Sequence, residues 1–564
     1  MRGSLDRSSL AGLFGVVLAW SLTGEATFGQ GPNRSTDGNT PQIALINEQV
    51  RQVWSEHQIR PSELATDGEW CRRVYLDVLG RTPSVEELRQ FVERRDAAKK
   101  RKLVDELLDG EAYTDDYVRN WTTFWTNVLI GRSGGTDQNS LIHRAGMQKY
   151  LRDSIARNKP YDRMVFELVT ATGATAPQAE GFNGAANFLI MKVNDDNGAQ
   201  ATAMTAKIFL GLQVQCTQCH NHPFNDWKQR KFWELNAFFR QTKAVRRDGN
   251  GGRGDAYAEL IDTDFIGEGS TPDEAEIYYE LRNGEMEVAY PVFVDGTAIP
   301  RSGRVSEVNR RAELGKFIVN SPMLEKTLVN RMWAHFLGYG FTKPVDDLGP
   351  HNLPSHPDLL DQLAAEFRTN SYNIKQLIRW ITLSQPYALS SKTNASNQQA
   401  DDPSLGETPK FSRFYMRQME AETLYESLLV ATAARKARGD YAEQEEARGR
   451  WMRQFIIAFG TDEGGETTTF NGTIPQALMM FNGEFMQRAI ALEPGNLLHD
   501  LAHNDWKSAD KIHYLFEAGL ARKATRDELA MADQLFVARQ GKLPETLQDV
   551  WWAILNSNEF IMNH

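Results

Sequence analysis

The stretch Cys71-Arg72-Arg73-Val74-Tyr75-Leu76-Asp77-Val78-Leu79-Gly80-Arg81-Thr82-Pro83-Ser84 indicates how this chain folds, because it holds the end of one helix and the start of another. Gly80 follows an apolar helical pattern and is suited to a C-cap. Ser84 is suited to an N-cap, with Glu87 three residues later as its capping-box partner. Two consecutive helices are therefore predicted. Cys71 is interpreted as a small buried hydrophobic residue.

Helical spacing of apolar residues continues outward from this stretch, beginning at Ile43. Ser321-Pro322 and Ser355-His356-Pro357-Asp358 are further helix-start signatures. Other helices are predicted over residues 99–108, 115–128, 147–156, 161–170, 201–212, 311–319, 374–383, 415–432, 476–480, 510–520, 526–538 and 547–555. Residues 173–187, rich in Gly, Ala and Asn, predict an irregular loop. The predicted fold class is mainly α.

A short β element interrupts the helical pattern. Asn283-Gly284 stands between two runs with alternating apolar residues, 277–281 and 286–294, which predicts a β-hairpin. Because one core serves roughly 250 to 300 residues at most, two helical domains with a small β-hairpin element between them are expected. The predicted divisions are a signal peptide 1–30, a linker 31–42, a first helical domain 43–244, a glycine-rich loop (248–254) and hairpin insertion within 245–308, and a second helical domain 309–564.

The net charge and the N-terminus indicate where the protein works. A formal charge of -11 disfavours nucleic acid or an anionic membrane as the main partner. Arg2 and Arg7 precede an apolar run, 10–22, and small and polar residues continue to Gln30, which is the order of a secretory signal. The run is short for a membrane span, so cleavage near residues 26–30 is expected, with no stable transmembrane span afterwards. An uncleaved anchor is the alternative, and in both cases the body is exported to the periplasm or cell envelope.

Cys216-Thr217-Gln218-Cys219-His220 follows the predicted helix 201–212 and has the spacing that attaches c-type haem. In that chemistry Cys216 and Cys219 bond to the haem vinyl groups, and His220 becomes an axial ligand of the iron. The downstream aromatics form either a dry haem pocket or part of the core: Phe224, Trp227, Phe232, Trp233, Phe238 and Phe239. The sixth iron position is either open or filled by a residue from elsewhere in the fold. By ligand type alone, the candidates are Met332, His335, His356, Met479 and Met480.

Two other interpretations of the same segment stay open. His222 together with Cys216, Cys219 and His220 provides four ligands of the types that zinc or another transition metal accepts. Their crowding within seven residues calls for further ligands from elsewhere in the fold. Alternatively the segment is structural, with its histidines hydrogen-bonded to the backbone or its cysteines joined as a redox-active disulfide.

Several stretches resemble the planctomycete cytochrome-like family of exported proteins, in which a first domain of unknown function is followed by a second planctomycete-specific domain. They are Gln213-Val214-Gln215-Cys216-Thr217-Gln218-Cys219-His220-Asn221-His222-Pro223-Phe224, 72–81 and 209–212 in the first domain, and 328–333, 346–349 and 354–360 in the second. The resemblance runs from about Asn47 to the C-terminus and implies that 43–244 is a cytochrome-like domain. It implies a cofactor segment made of Cys216, Cys219, His220 and His222. Asn221 stands where the family usually has Asp, and we expect this difference to alter a contact that supports the His220 ring.

Three functional hypotheses follow. The first is an exported protein that binds c-type haem for electron transfer or haem-dependent oxidation, with a redox partner. The second is a non-redox binding or scaffold protein of the cell envelope, with the segment as a metal or structural clasp. The third is a hydrolase acting on polysaccharide, which rests on two acidic pairs in predicted loops, Asp346-Asp347 and Asp195-Asp196. The sequence has no G-x-S-x-G, H-E-x-x-H or Walker motif, and whether the protein is an enzyme is left open.

Overall fold

The computed structural model describes residues 40–564 apart from 138–139, 248–256, 268–270, 272–274, 434–448 and 450–483. The described residues belong to one compact unit. They are mainly α-helical with small β elements, as predicted. Several predictions lie outside the described residues: the signal peptide 1–30 with its cleavage region, most of the linker, the glycine-rich loop 248–254, the helix 476–480, Met479 and Met480.

Helices form most of the chain before residue 240. They are α1 Pro41–Glu56, α2 Asp67–Leu79, α3 Val85–Glu93, α4 Lys99–Asp109, α5 Thr114–Ile130, α6 Arg144–Ala156, α7 Tyr161–Thr170, α8 Ala199–Leu210 and α9 Gln229–Asn236. Short 3-10 segments connect some of them: Glu111–Tyr113, Gly184–Phe188, Asp195–Gly198, Gln215–Gln218 and Ala237–Phe239.

Helices return after residue 309. They are α10 Arg310–Asn320, α11 Pro322–Leu337, α12 Pro357–Thr369, α13 Ile374–Thr382, α14 Gln385–Ala388, α15 Ala395–Ala400 and α16 Ala421–Ala431, with a 3-10 turn at Pro403–Leu405. The C-terminal part contains Glu484–Ala489, Leu497–His503, Ser508–Leu520, Arg526–Ala538, Leu543–Leu555 and Asn558–Ile561. Helical periodicity therefore placed most of these elements to within a few residues.

The capping signals around α2 and α3 are confirmed. Gly80 ends α2 with a φ of 67°, in the left-handed region that favours glycine. The Ser84 side chain accepts the Glu87 amide while the Glu87 carboxylate accepts the Ser84 amide, which is a complete capping box. The same carboxylate pairs with Arg81 at 2.8 Å. Cys71 is fully buried and free, as predicted, and its burial raises the pKa of its thiol.

The predicted hairpin is present. β4 Ile277–Glu280 and β5 Met286–Ala289 pair in antiparallel register, with Ile277 opposite Ala289. Gly284 lies in the connecting turn with a φ of 85°. The positive φ explains why the Asn-Gly signal identifies this turn correctly.

A three-stranded sheet was not predicted. β1 Gly173–Ala174, β2 Thr242–Arg247 and β3 Tyr257–Asp262 form an antiparallel sheet in the order β1-β3-β2. β1 falls inside the expected irregular loop 173–187. Its two residues carry no alternating pattern of their own, and only pairing with β3 makes them a strand.

The helix expected over 415–432 starts later, at Ala421. β6 Arg417–Gln418 precedes it and pairs with β7 Met562–Asn563 near the C-terminus. The Met419 amide continues this pairing by donating to Ile561 O. These tertiary hydrogen bonds replace the helical ones over 417–419.

Two large cores hold the described residues together. The larger includes Trp125 of α5, Phe209 of α8 and Trp333 of α11, so it takes side chains from both predicted domains. The smaller joins α16 and the C-terminal helices to Leu76 and Val85. The division into domains at residue 309 stays a prediction. No helix among the described residues combines the length and apolar character needed to cross a bilayer.

Candidate functional site

The site begins where α8 ends against α11. Gly211 ends α8 with a φ of 63°, and a Cβ there would lie 2.8 Å from Thr327 Oγ1 and 2.9 Å from Leu348 Cδ1. Only glycine suits both the backbone conformation and this close approach. The Leu348 amide donates to Gly211 O at 2.6 Å. The segment after α8 is thereby fixed beside the loop 346–352.

The C-x-x-C-H motif forms the 3-10 turn Gln215–Gln218 and the residues after it. Thr217 is buried, and its hydroxyl donates to Val214 O at 2.6 Å. Cys216 and Cys219, on either side of it, are both exposed and free. Partial burial raises the pKa of the Cys216 thiol, so this thiol is protonated at neutral pH.

The start of α9 holds the motif in place through hydrogen bonds. The Gln229 side-chain amide donates to Gln218 O at 3.1 Å and to Glu280 O at 2.9 Å. The Trp233 indole also donates to Gln218 O at 3.1 Å. Asn221 Oδ1 accepts the Gln229 backbone N–H at 3.0 Å, one of the N–H groups that a helix start leaves without a helical partner. The motif is therefore a fixed turn and not a loose loop.

His220 is oriented by its neighbour's backbone. Its Nδ1 lies 2.8 Å from Asn221 O, and because a carbonyl only accepts, Nδ1 carries the proton and donates. The lone pair of the neutral ring is then on Nε2. This is the orientation that metal-ligating histidines use, with one ring nitrogen donating and the other free to coordinate.

His222 sits in a tight loop after the motif. Its backbone N–H donates to Trp227 O at 2.8 Å, and its Nδ1 accepts the Phe224 backbone N–H at 3.2 Å. Nδ1 is therefore an acceptor, and in the neutral ring Nε2 carries the proton. Burial, together with the nearby His351, lowers the pKa of His222, which favours its neutral form.

His351 faces His222 from the loop 346–352, with 5.5 Å between the two ring centroids. Asn225 Oδ1 accepts the Trp227 amide, so the Asn225 amide nitrogen faces His351 Nδ1 at 3.3 Å and donates to it. The Nε2–H of His351 then donates to Asp347 Oδ2 at 3.0 Å. The side chains of His351 and Asp347 are only 18% and 17% exposed.

Gly349 makes room for this ring. A Cβ at Gly349 would lie 2.6 Å from two atoms of the His351 imidazole, closer than carbon atoms approach without displacement. The Asn352 side chain also donates to Asp347 O at 2.8 Å. The loop is therefore shaped to hold the His351 ring beside the Asp347 carboxylate.

Hydrolysis of polysaccharide would need two facing carboxylates. Of the two acidic pairs, the structure describes the side chains of Asp346 and Asp347, and both have other partners. Asp346 is buried, accepts Gln213 Nε2 at 2.7 Å and pairs with Lys207 at 3.3 Å. Asp347 instead orients His351. Asp195-Asp196 begins the 3-10 segment Asp195–Gly198. Asp346 thus ties the motif segment to the loop 346–352.

The aromatic residues downstream of the motif mostly belong to the core. Phe232, Phe238 and Phe239 are fully buried in the larger core, and Trp227 and Trp233 pack against it. Phe224 is the exception, because 80% of it is exposed. Five of the six residues therefore belong to or pack against the core, which was one of the two alternatives for them.

The three candidate sixth ligands among the described residues have packing roles. Met332 is buried in the larger core. His335 Nε2 lies 3.2 Å from Asp77 O, and burial lowers the pKa of His335. His356 packs against Phe411, with 5.3 Å between ring centroids. Each of these residues is explained by its place in the fold without a metal.

The donor set of the motif fits c-type haem. Two accessible thiols are separated by two residues in the sequence, and the adjacent imidazole has its Nε2 available. The fit to a metal held by Cys216, Cys219, His220 and His222 alone is poorer. Among the described residues, no group of three or more His, Cys, Asp and Glu side chains is arranged to hold a metal ion.

Comparison with known families divides the chain into two matched parts. Residues 45–244 match the model PSCyt2, described as a protein of unknown function (DUF1549), and residues 310–536 match PSD1, described as a protein of unknown function (DUF1553). The chain carries these two domains in this order. No curated protein and no solved structure matches the chain.

Residues from the DUF1549 match and from the DUF1553 match lie together at the candidate site. His222 lies in the DUF1549 match, whereas Asp347, Gly349 and His351 lie in the DUF1553 match. Sequence reasoning missed His351. The sequence shows that Asp347 and His351 are four residues apart. No neighbouring residue indicates that the loop 222–227 of the DUF1549 match lies against His351.

Proposed function

We propose that this protein binds one c-type haem covalently through Cys216 and Cys219, with His220 as the proximal ligand. The spacing of the motif and the accessibility of both thiols support this proposal. The contact of His220 Nδ1 with Asn221 O at 2.8 Å carries it, because it leaves Nε2 free as an iron ligand. Electron transfer or haem-dependent oxidation is the proposed activity.

The protein's own residues position and support the attachment site. Haem supplies one-electron redox chemistry when it is bound. Thr217 anchors the turn between the cysteines, and Gln229 and Trp233 fix the carbonyl of Gln218. The Asn221 backbone holds the His220 ring in one orientation. These contacts keep the two thiols and the imidazole together before attachment, which lowers the entropy lost in binding.

The cellular setting is part of the proposal. An N-terminal secretory signal would bring the chain to the compartment where c-type haem is attached, the periplasm or cell envelope. A redox partner would exchange electrons with the exposed side of the motif. The exposed ring of Phe224 beside His222 supplies apolar surface for such a contact.

A pyridine haemochrome assay tests the haem proposal. The full chain is produced in a host with haem-attachment machinery, alongside Cys216→Ser, Cys219→Ser and the buried-cysteine control Cys71→Ser. We expect one covalent haem per chain in the unmodified protein and in Cys71→Ser, and less than one in the two motif variants. Absence of covalent haem at stoichiometric yield in the unmodified protein would overturn the proposal.

A second candidate is a non-redox binding or scaffold protein of the cell envelope. The bonds from Leu348 to Gly211 and from Gln213 to Asp346 favour it, because they use the motif segment to join two parts of the fold. Metal analysis by mass spectrometry, with Cys216→Ser as the control, separates the two candidates. Stoichiometric metal without haem, lost in Cys216→Ser, would support a metal clasp at the cysteines.

A further inference from the structure

We propose that a cleft between α6, α7 and residues 182–184 binds a sugar acid, a monosaccharide-sized ligand with one carboxylate and several hydroxyl groups. The cleft has a volume of about 320 Å³, which falls in the usual range of about 300 to 1,000 Å³ for small-molecule sites. It shares no residue with the C-x-x-C-H segment, so the inference does not depend on haem.

Close packing around α6 forms the walls of the cleft. Lys149, Asp153 and Arg157 follow one another at intervals of four residues, so they lie along one side of the helix and its C-terminal end. The segment 182–184 forms another wall. A Cβ at Gly184 would lie 2.3 Å from Gly146 O, so only glycine lets this wall approach α6 so closely.

The charges in the cleft leave one positive charge without a partner. Lys149 pairs with Asp153 at 3.5 Å, and Lys159 pairs with Glu167. Arg157 is exposed and makes no ion pair or hydrogen bond with the residues that the structure describes. Three cations and two carboxylates therefore leave one net positive charge. A guanidinium binds a carboxylate through two parallel hydrogen bonds.

The size of this charge selects a carboxylate over a phosphate. A phosphate monoester carries about 1.5 to 2 negative charges at neutral pH, so it would place excess negative charge beside Asp153 and Glu167. A carboxylate carries one and balances Arg157.

Glu167 supplies an acceptor for a ligand hydroxyl. Its Oε2 accepts Tyr150 Oη at 2.8 Å and pairs with Lys159, whereas its Oε1 has no partner in the described part of the chain. Burial and the Glu167 carboxylate raise the pKa of Tyr150, so the phenol keeps its proton and remains the donor in this contact. Because an ionised carboxylate only accepts, Oε1 suits an O–H group of a sugar.

The base of the cleft contains a hydroxyl that no other group uses. Ser154 is 2% exposed, and its Oγ has no hydrogen-bond partner at bonding distance among the described residues. Ser154 also lines a neighbouring cavity of about 20 Å³ beside Trp121 and Trp125. A buried polar group without a partner is unfavourable, so a ligand hydroxyl that reaches the base stabilises the complex.

Phe182 supplies an apolar surface for the sugar ring. Its side chain lines the cleft and is partly exposed. The C–H groups of a pyranose ring pack on an aromatic face through dispersion. The cleft therefore combines one unpaired cation, hydroxyl partners and an aromatic face, and a sugar acid uses all three.

Titration calorimetry on the full chain separates these contributions. D-galacturonate and D-glucuronate carry both the charge and the hydroxyls, whereas acetate carries only the carboxylate and D-galactose only the ring and hydroxyls. We expect one of the two sugar acids to bind at least about tenfold more tightly than acetate and D-galactose. The proposal is overturned if neither sugar acid binds, or if both bind no better than acetate.

Variants locate the binding in the cleft. Arg157→Gln should weaken binding of the sugar acid at least about tenfold, and Phe182→Ala should weaken it several-fold. Arg163→Gln replaces another exposed arginine, on α7 outside the cleft, and should bind like the unmodified protein. Circular dichroism and urea unfolding check that each variant is folded. Lower stability of Arg157→Gln with unchanged binding would assign this residue to the end of α6 and overturn the proposal.

A last titration distinguishes a free sugar acid from the end of an acidic polysaccharide. Trigalacturonate should bind more weakly than D-galacturonate if the ligand is the free acid, and equally or more tightly if it is a chain end. Both results support the proposal when Arg157→Gln weakens the binding. Binding of trigalacturonate that Arg157→Gln leaves unchanged would contradict it.

Discussion

The amide of Leu348 donates a 2.6 Å hydrogen bond to the carbonyl oxygen of Gly211. Gly211 is the C-cap that ends α8 ahead of the C-x-x-C-H motif, and Leu348 stands between Asp346 and Gly349. The bond therefore sets the position of the motif relative to the loop that carries His351. Because a Cβ at residue 211 would meet Leu348 and Thr327, the glycine is required at this crossing.

Gly211→Ala should destabilise the protein by roughly 2 to 4 kcal/mol, since it combines a left-handed backbone with contacts below 3 Å. Gly284→Ala is the matched control. Its φ is also positive, at 85°, but nothing lies within 4 Å of the added Cβ, so only about 1 to 2 kcal/mol is expected. Urea unfolding measures both. Equal destabilisation in the two variants would show that the close approach at Gly211 has no energetic weight.

Asn221 can be tested for its role at the start of α9. Asn221→Ala removes the acceptor of the Gln229 N–H and should cost about 1 kcal/mol of stability, as loss of a helix cap does. Asn221→Asp keeps an acceptor oxygen and places a negative charge near the helix start, so stability should be unchanged or rise by a few tenths of a kcal/mol. Chemical denaturation distinguishes the two outcomes. Equal losses in both variants would mean that the oxygen is not the stabilising group.

The features that the sequence predicts best are those determined by residues close together in the sequence. Gly80 and the Ser84–Glu87 box mark helix ends through local hydrogen bonds, so a pattern of a few residues is sufficient. Helical periodicity works in the same way for α4, α7 and α10. The Asn283-Gly284 turn is likewise local, because its own backbone conformation selects glycine.

The features that sequence missed depend on distant partners. β1 has only Gly173 and Ala174, and it pairs with β3 more than eighty residues later. His351 acquires its environment from Asn225, 126 residues earlier. No local pattern reports such contacts, and the cluster of His222, Asp347 and His351 could not be anticipated from the C-x-x-C-H motif alone.

Asp77 joins α2 to the C-terminal strands and should be essential for stability. Its carboxylate accepts Tyr387 Oη and Asn563 Nδ2, both at 2.7 Å, and pairs with Arg417 in the buried interior. Asp77→Asn leaves the buried Arg417 without its counter-charge, and loss of about 3 kcal/mol or more is expected. Asp361, which pairs with Lys326 at the surface, serves as the control.

Asp361→Asn should leave stability nearly unchanged, because exposed ion pairs contribute little. Thermal and urea unfolding of the two variants measure the difference. A destabilisation at Asp77 no larger than that at Asp361 would contradict a role for the buried network in holding β6 and β7.

The burial of His356 predicts that stability depends on pH. The ring is only 4% exposed and packs against Phe341 and Phe411. Ser355 Oγ lies 2.9 Å from its Nδ1. Burial lowers the pKa of His356 to about 4, well below the ordinary value near 6.5, so the folded protein holds the ring neutral.

The sign follows from proton binding in the two states. Above about pH 6.5 the ring is neutral in both the folded and unfolded chain, and it contributes no pH dependence. As the pH falls below about 6.5, the unfolded chain takes up a proton that the folded protein rejects, so stability decreases. The loss continues down to about pH 4 and reaches at most roughly 3 kcal/mol from this residue.

His356→Gln should flatten this dependence. The free energy of unfolding, measured with urea at pH 7.5, 6.0 and 5.0, should fall less in His356→Gln than in the unmodified protein, although the variant starts lower because a packed ring is lost. Replacement of the half-exposed His143, whose pKa burial also lowers, should change the slope less. An unchanged slope in His356→Gln would mean that other groups cause the acid sensitivity.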